Sequence, residues 1–190
     1  MNSGNIMLVG VGGQGTILAS KLLTLGLLEA GYDVKMSEIH GMSQRGGSVS
    51  SQIRYGESVS CPVIETGGAD MIIAFEKLEA LRNLCYLKPE GTVVINDLRI
   101  DPIGVLAQTA EYPQNVIERI QRTAAAIVIP ASRMAEELEN SRVMNIILLG
   151  AIAKNMQLGS VDWDRLIEEN VKEQFAEINK TAFAKGFNYA

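Results

Sequence analysis

The sequence predicts an α/β fold: a doubly wound, mostly parallel sheet with helices on both faces, some antiparallel edge strands and a helical C-terminus. Three observations point there. A short apolar run, Ile6 to Val11, passes through a glycine-rich turn into a helix-forming stretch, Thr16 to Ala30. Further apolar β-forming runs recur at Ala69 to Phe75, Thr92 to Asn96 and Ala126 to Ile129, spaced by helix-length segments as in a parallel sheet. The last quarter of the chain reads as helix, beginning with the strongly apolar Val143 to Met156.

Taken in order, Ile6-Met7-Leu8-Val9-Gly10-Val11 suits a strand buried on both faces, because no polar residue interrupts it. Ile17, Leu18, Leu22, Leu25 and Leu28 mark the helix that follows, and Gly31 supplies its stop. Asp33 to Ile39 reads as a second strand, completing strand, turn, helix, strand, the opening of a Rossmann-like sheet. A glycine- and serine-rich loop runs from His40 to Gly47. Ser48 to Tyr55 alternates like a strand with one solvated or partner-facing side, and Val59 to Ile64, broken by Pro62, reads as an edge strand.

Ala69 to Phe75 is a buried strand and Glu76 to Tyr86 a helix. Pro89-Glu90-Gly91 is a turn before the strand Thr92 to Asn96. Ile103 to Gln108 fits a short strand, with a helix nearly as good. Pro113 is placed at the opening of a helix, where its missing N–H costs little, with Val116, Ile117 and Ile120 buried. Ser132 is read as the cap of a helix to Glu139. From Asp162 to Lys185, Leu166, Ile167, Val171, Phe175, Ile178 and Ala182 form one apolar stripe, and Trp163 reads as core. No repeat, low-complexity stretch or linker divides the chain, so residues 1–190 are expected to form a single domain.

Composition narrows the function. With 47% hydrophobic and 21% charged residues in 190, the chain is an ordinary globular one with an aliphatic core. A net charge of −5 argues against nucleic acid, which needs clustered Lys and Arg. No apolar run reaches the roughly 20 residues of a membrane span. Met1 to Ile6 lacks a charged stretch followed by an apolar one, so a cytoplasmic protein is expected. Cys61 and Cys85 are two thiols where an iron–sulfur cluster normally takes four. They are read as buried small hydrophobes, and no metal site is expected.

Gly10-Val11-Gly12-Gly13-Gln14-Gly15 satisfies G-x-G-x-x-G between strand and helix. Such a turn brings backbone N–H groups and the helix's positive end to one point. Glu38, near the end of the second strand, stands where a ribose-binding acid would be needed for a dinucleotide. Three readings remain open on the motif itself: a dinucleotide, another phosphate-bearing ligand, or close helix–strand packing without a ligand.

The loop after the second strand, Ser37 to Ser48, gathers the only histidine, His40, with Ser43, Gln44, Arg45, Gly46 and Gly47. It should leave the carboxyl edge of the sheet beside the glycine turn, where open α/β sheets bind ligands or partners. A solvent-exposed connector is the plainer alternative. No G-x-S-x-G elbow makes Ser43 or Ser48 a nucleophile, and one histidine without a cysteine pair does not make a zinc site. Glu76, Glu79 and Arg82 stand at helical spacing, as a solvated ion-pair face or a partner contact would. Asn145, on an apolar helix, calls for a structural hydrogen bond to a neighbouring loop.

Four segments together carry a resemblance: Gly10 to Gly15; Ser37 to Gly47, ending in Arg45-Gly46-Gly47; Phe75 to Arg82; and Asn145-Ile146-Ile147-Leu148-Leu149-Gly150-Ala151. The chain resembles the gamma-type subunits and domains of 2-oxoacid:ferredoxin oxidoreductases, most of all the small (beta) subunits of indolepyruvate ferredoxin oxidoreductases. The glycine turn is a weak signal by itself, and the turn followed by His-Gly-Met-Ser-Gln-Arg-Gly-Gly is a strong one.

The resemblance implies oxidative decarboxylation of a 2-oxoacid with coenzyme A to acyl-CoA, carbon dioxide and reduced ferredoxin, with an arylpyruvate as the acid. It implies a larger partner subunit holding thiamine diphosphate, Mg2+ and 4Fe–4S clusters, and ferredoxin reached through that complex. The sequence agrees in lacking the Gly-Asp-Gly that opens the usual thiamine-diphosphate motif. His40, Ser43, Gln44, Arg45, Gly46 and Gly47 are then expected to face the partner and active site. Gly10, Gly12, Gly13, Gln14, Gly15 and Arg45 become candidates for a phosphate of coenzyme A, Arg45 offering a forked donor. No catalytic residue is assigned to this chain, which is expected to be inactive alone, with monomer and self-dimer both open for the isolated chain. The alternatives are a stand-alone NAD(P)-binding oxidoreductase and a nucleotide-binding regulatory module.

Overall fold

The structure, a computed structural model, describes residues 3–39 and 46–189. The chain runs β1 (Gly4–Val11), α1 (Thr16–Glu29), β2 (Asp33–Ile39), β3 (Ser48–Gly56), β4 (Ala69–Ala74), α2 (Lys77–Arg82) and β5 (Leu87–Asn96). It continues with α3 (Ile103–Leu106), α4 (Val116–Gln121), β6 (Ala125–Ile129), α5 (Ala131–Glu136), α6 (Met144–Asn155), α7 (Trp163–Asn170) and α8 (Ala176–Tyr189). The strands form one sheet in the order β2-β3-β1-β4-β5-β6. β1, β4, β5 and β6 pair in parallel. β3 runs antiparallel between β2 and β1.

The period of two along β1 explains both layers. Ile6 and Leu8 point into one core with Leu22, Leu23 and Leu27 of α1 and Ile147 of α6. Met7 and Val9 point into the other with Ala80 of α2 and Val116 and Ile120 of α4. The first layer is the thicker. Every residue of α6 from Met144 to Ala153 is buried, because the helix is covered by the sheet below and α8 above. Trp163 closes this layer, its ring against Gly26 of α1 and its Nε1 donating to the Leu158 carbonyl at 2.9 Å. Among the described residues, no helix is long and apolar enough to cross a membrane.

The doubly wound, mostly parallel expectation holds, with helices on both faces and a helical C-terminus. Several local expectations do not. β2 is not the neighbour of β1, because β3 pairs with both and takes that place. The antiparallel strand is therefore interior, and its polar Ser51 and Gln52 are buried rather than solvated. Residues 59–64 form no strand. Their backbone is held by side chains instead, Ile64 N donating to Gln52 Oε1 at 2.7 Å and Arg54 Nη1 to the Cys61 carbonyl at 3.2 Å. Pro89 to Gly91 lie within β5, where a register shift opposite Ala69 and Met71 absorbs them.

Ile103 to Leu106 is helical, with Ile103 81% exposed and so lacking the burial that would favour a strand. Pro113 does not open α4, which is preceded by Asn115 at φ 53. Ser132 does not cap α5, since its N–H and hydroxyl engage Asn96 instead. The stripe from Asp162 to Lys185 is split into α7 and α8 by extended Val171 and Lys172, which leaves Phe175 40% exposed. Cys61 and Cys85 are both exposed, not buried. Each sits in a connecting segment at the sheet's amino edge, where Ile64, Leu84 and Tyr86 rather than the cysteines reach the core.

Candidate functional site

α1 leaves β1 toward one face of the sheet and α2 leaves β4 toward the other. A crevice opens at such a switch, outside the carboxyl ends of the strands. The glycine turn forms its floor. Gln14 is spent on the turn itself: its Oε1 accepts from Val11 N at 2.7 Å and its Nε2 donates to the Phe75 carbonyl at 2.9 Å. Gly10 lies so close to the Phe75 and Thr16 side chains that a Cβ would meet them at 3.0 and 3.1 Å. Gly13 has φ +100 and open space where a Cβ would be. Gly15 has φ 77 and precedes α1 with no side-chain cap, so the first amides of that helix are left to solvent or a ligand.

Asn145, 3% exposed, lies directly beneath Gly15. Its Nδ2 donates to the Gly15 carbonyl at 3.1 Å, and its Oδ1 accepts from Ile146 N at 2.9 Å. On the other side, Gly12 N donates to the Gly47 carbonyl at 2.8 Å and Gly46 N to the Gly12 carbonyl at 3.3 Å. The end of the second-strand loop is thereby joined to the glycine turn. His40, Ser43, Gln44 and Arg45 lie outside the described residues.

Two clefts flank the turn. One, of 300 Å³, is lined by Gly13, Ile17, Glu38, Ile39 and Val49 and is largely apolar. The other, of 470 Å³, is lined by Gly13, Ile100, Ser132, Ser141 and Arg142. Glu38 reaches the first cleft, but from a strand two places from β1, about 10 Å away at ordinary strand spacing. A dinucleotide fold needs that acid on the strand beside β1.

The walls are held by buried polar groups, of which the sequence reading passed over Asn96 and left Glu76 and Glu79 as a solvated ion-pair face or a partner contact. Asn96, fully buried at the end of β5, donates to the Phe75 carbonyl at 3.1 Å and to Ser132 Oγ at 2.9 Å. Its signal was a lone amide closing the apolar run Thr92 to Ile95. Glu76 and Glu79 are each 1% exposed, so they are not the solvated face their spacing suggested. Glu76 Oε1 accepts from Tyr112 hydroxyl at 2.8 Å and Ile100 N at 3.2 Å, and its Oε2 caps α2 through Glu79 N at 3.0 Å. Glu79 accepts from Ser48 Oγ and from Arg82 Nη1, both at 2.5 Å.

Burial, and then the bond to the Glu76 carboxylate, raise the Tyr112 phenol well above its ordinary pKa, so it stays a donor throughout the working range. Tyr112→Phe removes that donor from a buried carboxylate and should cost about 1–3 kcal/mol. Urea unfolding would read this as a lower midpoint at unchanged slope. An unchanged midpoint would mean that the bond contributes nothing net.

Among the described residues, no group of three or more His, Cys, Asp or Glu side chains could hold a metal ion. The site as built can present backbone amides, hydroxyls and a guanidinium to an anion, and apolar walls to whatever carries it.

The family model described as "Pyruvate ferredoxin/flavodoxin oxidoreductase" matches residues 5–189. The indolepyruvate oxidoreductase subunit IorB of Archaeoglobus fulgidus is 36% identical, over 98% of this chain and 94% of its own length. Among solved structures, the gamma subunit of a keto/oxoacid ferredoxin oxidoreductase from Geobacter sulfurreducens superposes with a TM-score of 0.70 at 23% identity, covering 97% of this chain and 96% of its own. A 2-oxoglutarate:ferredoxin oxidoreductase from Magnetococcus marinus, solved with 2-oxoglutarate, coenzyme A and succinyl-CoA, gives a TM-score of 0.77 at 22% identity. It is matched over 98% of this chain and 30% of its own, so there the same fold is one part of a longer polypeptide.

Proposed function

The chain belongs to the pyruvate ferredoxin/flavodoxin oxidoreductase family, and from that premise we propose that it is the small subunit of a cytoplasmic indolepyruvate-type 2-oxoacid:ferredoxin oxidoreductase, with residues 1–190 acting as one gamma-type domain. The observation that carries this is the end-to-end relationship, at 36% identity, to a subunit of an indolepyruvate oxidoreductase. In the reaction a 2-oxoacid and coenzyme A give acyl-CoA and carbon dioxide, and the two electrons released reduce two ferredoxins.

Thiamine diphosphate with Mg2+ and 4Fe–4S clusters supply carbanion and electron-transfer chemistry when bound. The clusters do not fit this chain: it has two cysteines, both exposed, where a cluster takes four thiolates. In this reading they belong to a larger subunit, through which ferredoxin is also reached.

The small subunit then has a binding role. The glycine turn, with the open side of Gly13 and the uncapped start of α1, suits a phosphate of coenzyme A. The largely apolar 300 Å³ cleft beside it suits the pantetheine chain. Gly46 and Gly47, bonded to Gly12, bring the end of the loop carrying His40, Ser43, Gln44 and Arg45 to the same rim. That loop faces the larger subunit, and Arg45 offers its fork to a phosphate or carboxylate. Arg45→Ala should lower kcat/KM for coenzyme A by roughly ten- to a hundredfold, the worth of a bond to a charged group. Wild-type turnover in a normally assembled complex would remove that role.

The test of the whole reading is anaerobic co-expression with the neighbouring large subunit. Ferredoxin reduction dependent on an arylpyruvate and coenzyme A should require this chain. If the isolated chain oxidised substrate with a soluble nicotinamide, the reading would fail. The displacement of Glu38 from the strand beside β1 already weighs against that rival.

A further inference from the structure

We propose that Ser48 and Glu79 are positioning residues for the glycine turn, acting from the opposite wall of the crevice. Gly12, Gly46 and Gly47 meet one another through two backbone hydrogen bonds. None of the three has a side chain to pack, so nothing apolar holds their mutual geometry. Ser48 is the first residue after them that can be anchored. It begins β3, lies in register with Val11 of β1, and donates its hydroxyl to Glu79 Oε2 at 2.5 Å.

Glu79 is a rigid acceptor. It is 1% exposed on α2, its N–H is capped by Glu76, and Arg82 takes its other oxygen. A carboxylate is costly to bury unless its oxygens are filled. At this buried position of α2, an apolar residue would fill the volume at lower cost. What a carboxylate adds here is a directional bond to the strand that carries the glycines. Glu76, one turn earlier, does the same for the opposite wall through Ile100 N and Tyr112. One short helix thus braces both sides of the crevice.

This assignment rests on the preceding reading only for what the turn binds. The test uses the assembled two-subunit enzyme with Ser48→Ala, Ser48→Thr and Glu79→Gln. Ser48 is exposed apart from its hydroxyl contact, so a threonine methyl has room in solvent and threonine suits a strand. Amide exchange across residues 10–15 should accelerate about tenfold in Ser48→Ala and Glu79→Gln and return to near wild type in Ser48→Thr. The KM for coenzyme A should rise about fivefold in Ser48→Ala, with kcat and the KM for the 2-oxoacid held within about twofold. Unchanged exchange in Ser48→Ala would overturn the assignment, and so would equal acceleration in Ser48→Thr. Faster exchange with an unchanged coenzyme A KM leaves the positioning role standing. That outcome would remove the coenzyme reading of the turn instead.

Discussion

Gly186→Ala is expected to destabilise the protein by about 2–4 kcal/mol, although the change replaces a poor helix former with the best one. In an open helix the substitution would stabilise by about 1 kcal/mol. Here α8 crosses α6 at a pair of facing glycines. A Cβ on Gly186 would fall on the backbone of Ile147, 2.7 Å from its carbonyl carbon and nearer still to the oxygen. A Cβ on Gly150 would strike the Phe183 carbonyl and come within 2.8 Å of Phe187 N. The obstacles are backbone atoms of helices, which cannot rotate aside as a side chain does. The two helices must separate, and Met144 to Ala153 lose their close cover.

Overpacking against helix backbone falls at or above the top of the usual range of about 1–3 kcal/mol, so about 2 kcal/mol or more remains after the propensity gain of about 1 kcal/mol. With total stability on the order of 5–15 kcal/mol, the loss is a large share. Chemical denaturation should show a lower midpoint with unchanged slope. A midpoint equal to or above wild type would mean that the helix pair is not as close as described. Gly150→Ala should behave similarly, and the double variant should cost less than the sum, since one separation relieves both contacts.

Gly15→Ala should be nearly as damaging, by about 2–4 kcal/mol, for a different reason. The residue has φ 77, where an L side chain costs about 1–2 kcal/mol. The new Cβ would also press on the Asn145 amide, 3.0 Å from its carbonyl carbon and closer to Nδ2. Moving that buried side chain gives up its bond to the Gly15 carbonyl, at about 1–3 kcal/mol for an orphaned polar group. Gly15 stands before the helix, so no propensity is gained in return.

Gly13→Ala separates stability from binding. Its φ of +100 carries the same backbone cost, but a Cβ there meets nothing within 4 Å. It should be the milder change in thermal unfolding, and still raise the KM for coenzyme A, because the methyl occupies the open side of the turn. Equal thermal penalties in the two variants would show that Asn145 contributes nothing to the turn.

Local periodicity made much of the architecture legible. The alternation of Ile6 to Val9 into two cores, the boundaries of α1, β2 and β6, and the interior character of α6 all follow from which residues are apolar and where glycine stops them. Three of the errors share one cause. Ile103 to Leu106, Pro89 to Gly91 and Val59 to Ile64 are short stretches whose form depends on what lies beside them. Propensity over so few residues is too weak to outweigh that context. The chemistry of the site divides in the same way. Gly10 to Gly15 could be read from spacing. Glu76, Glu79 and Asn96 could not, since a charged or amide residue in sequence reads as solvated until its burial is known.

The sequence alone determined the layered α/β design and the glycine turn at the first strand–helix junction, because each rests on residues near one another along the chain, and it pointed to the family through four short segments in a fixed order. Only the tertiary structure decided that β3 enters between β1 and β2, which carries Glu38 away from the turn. It alone showed that two buried carboxylates, Glu76 capping α2 and Glu79 within it, brace the crevice from within. Strand pairing and burial are set by contacts between distant segments, whose free energy no local pattern records.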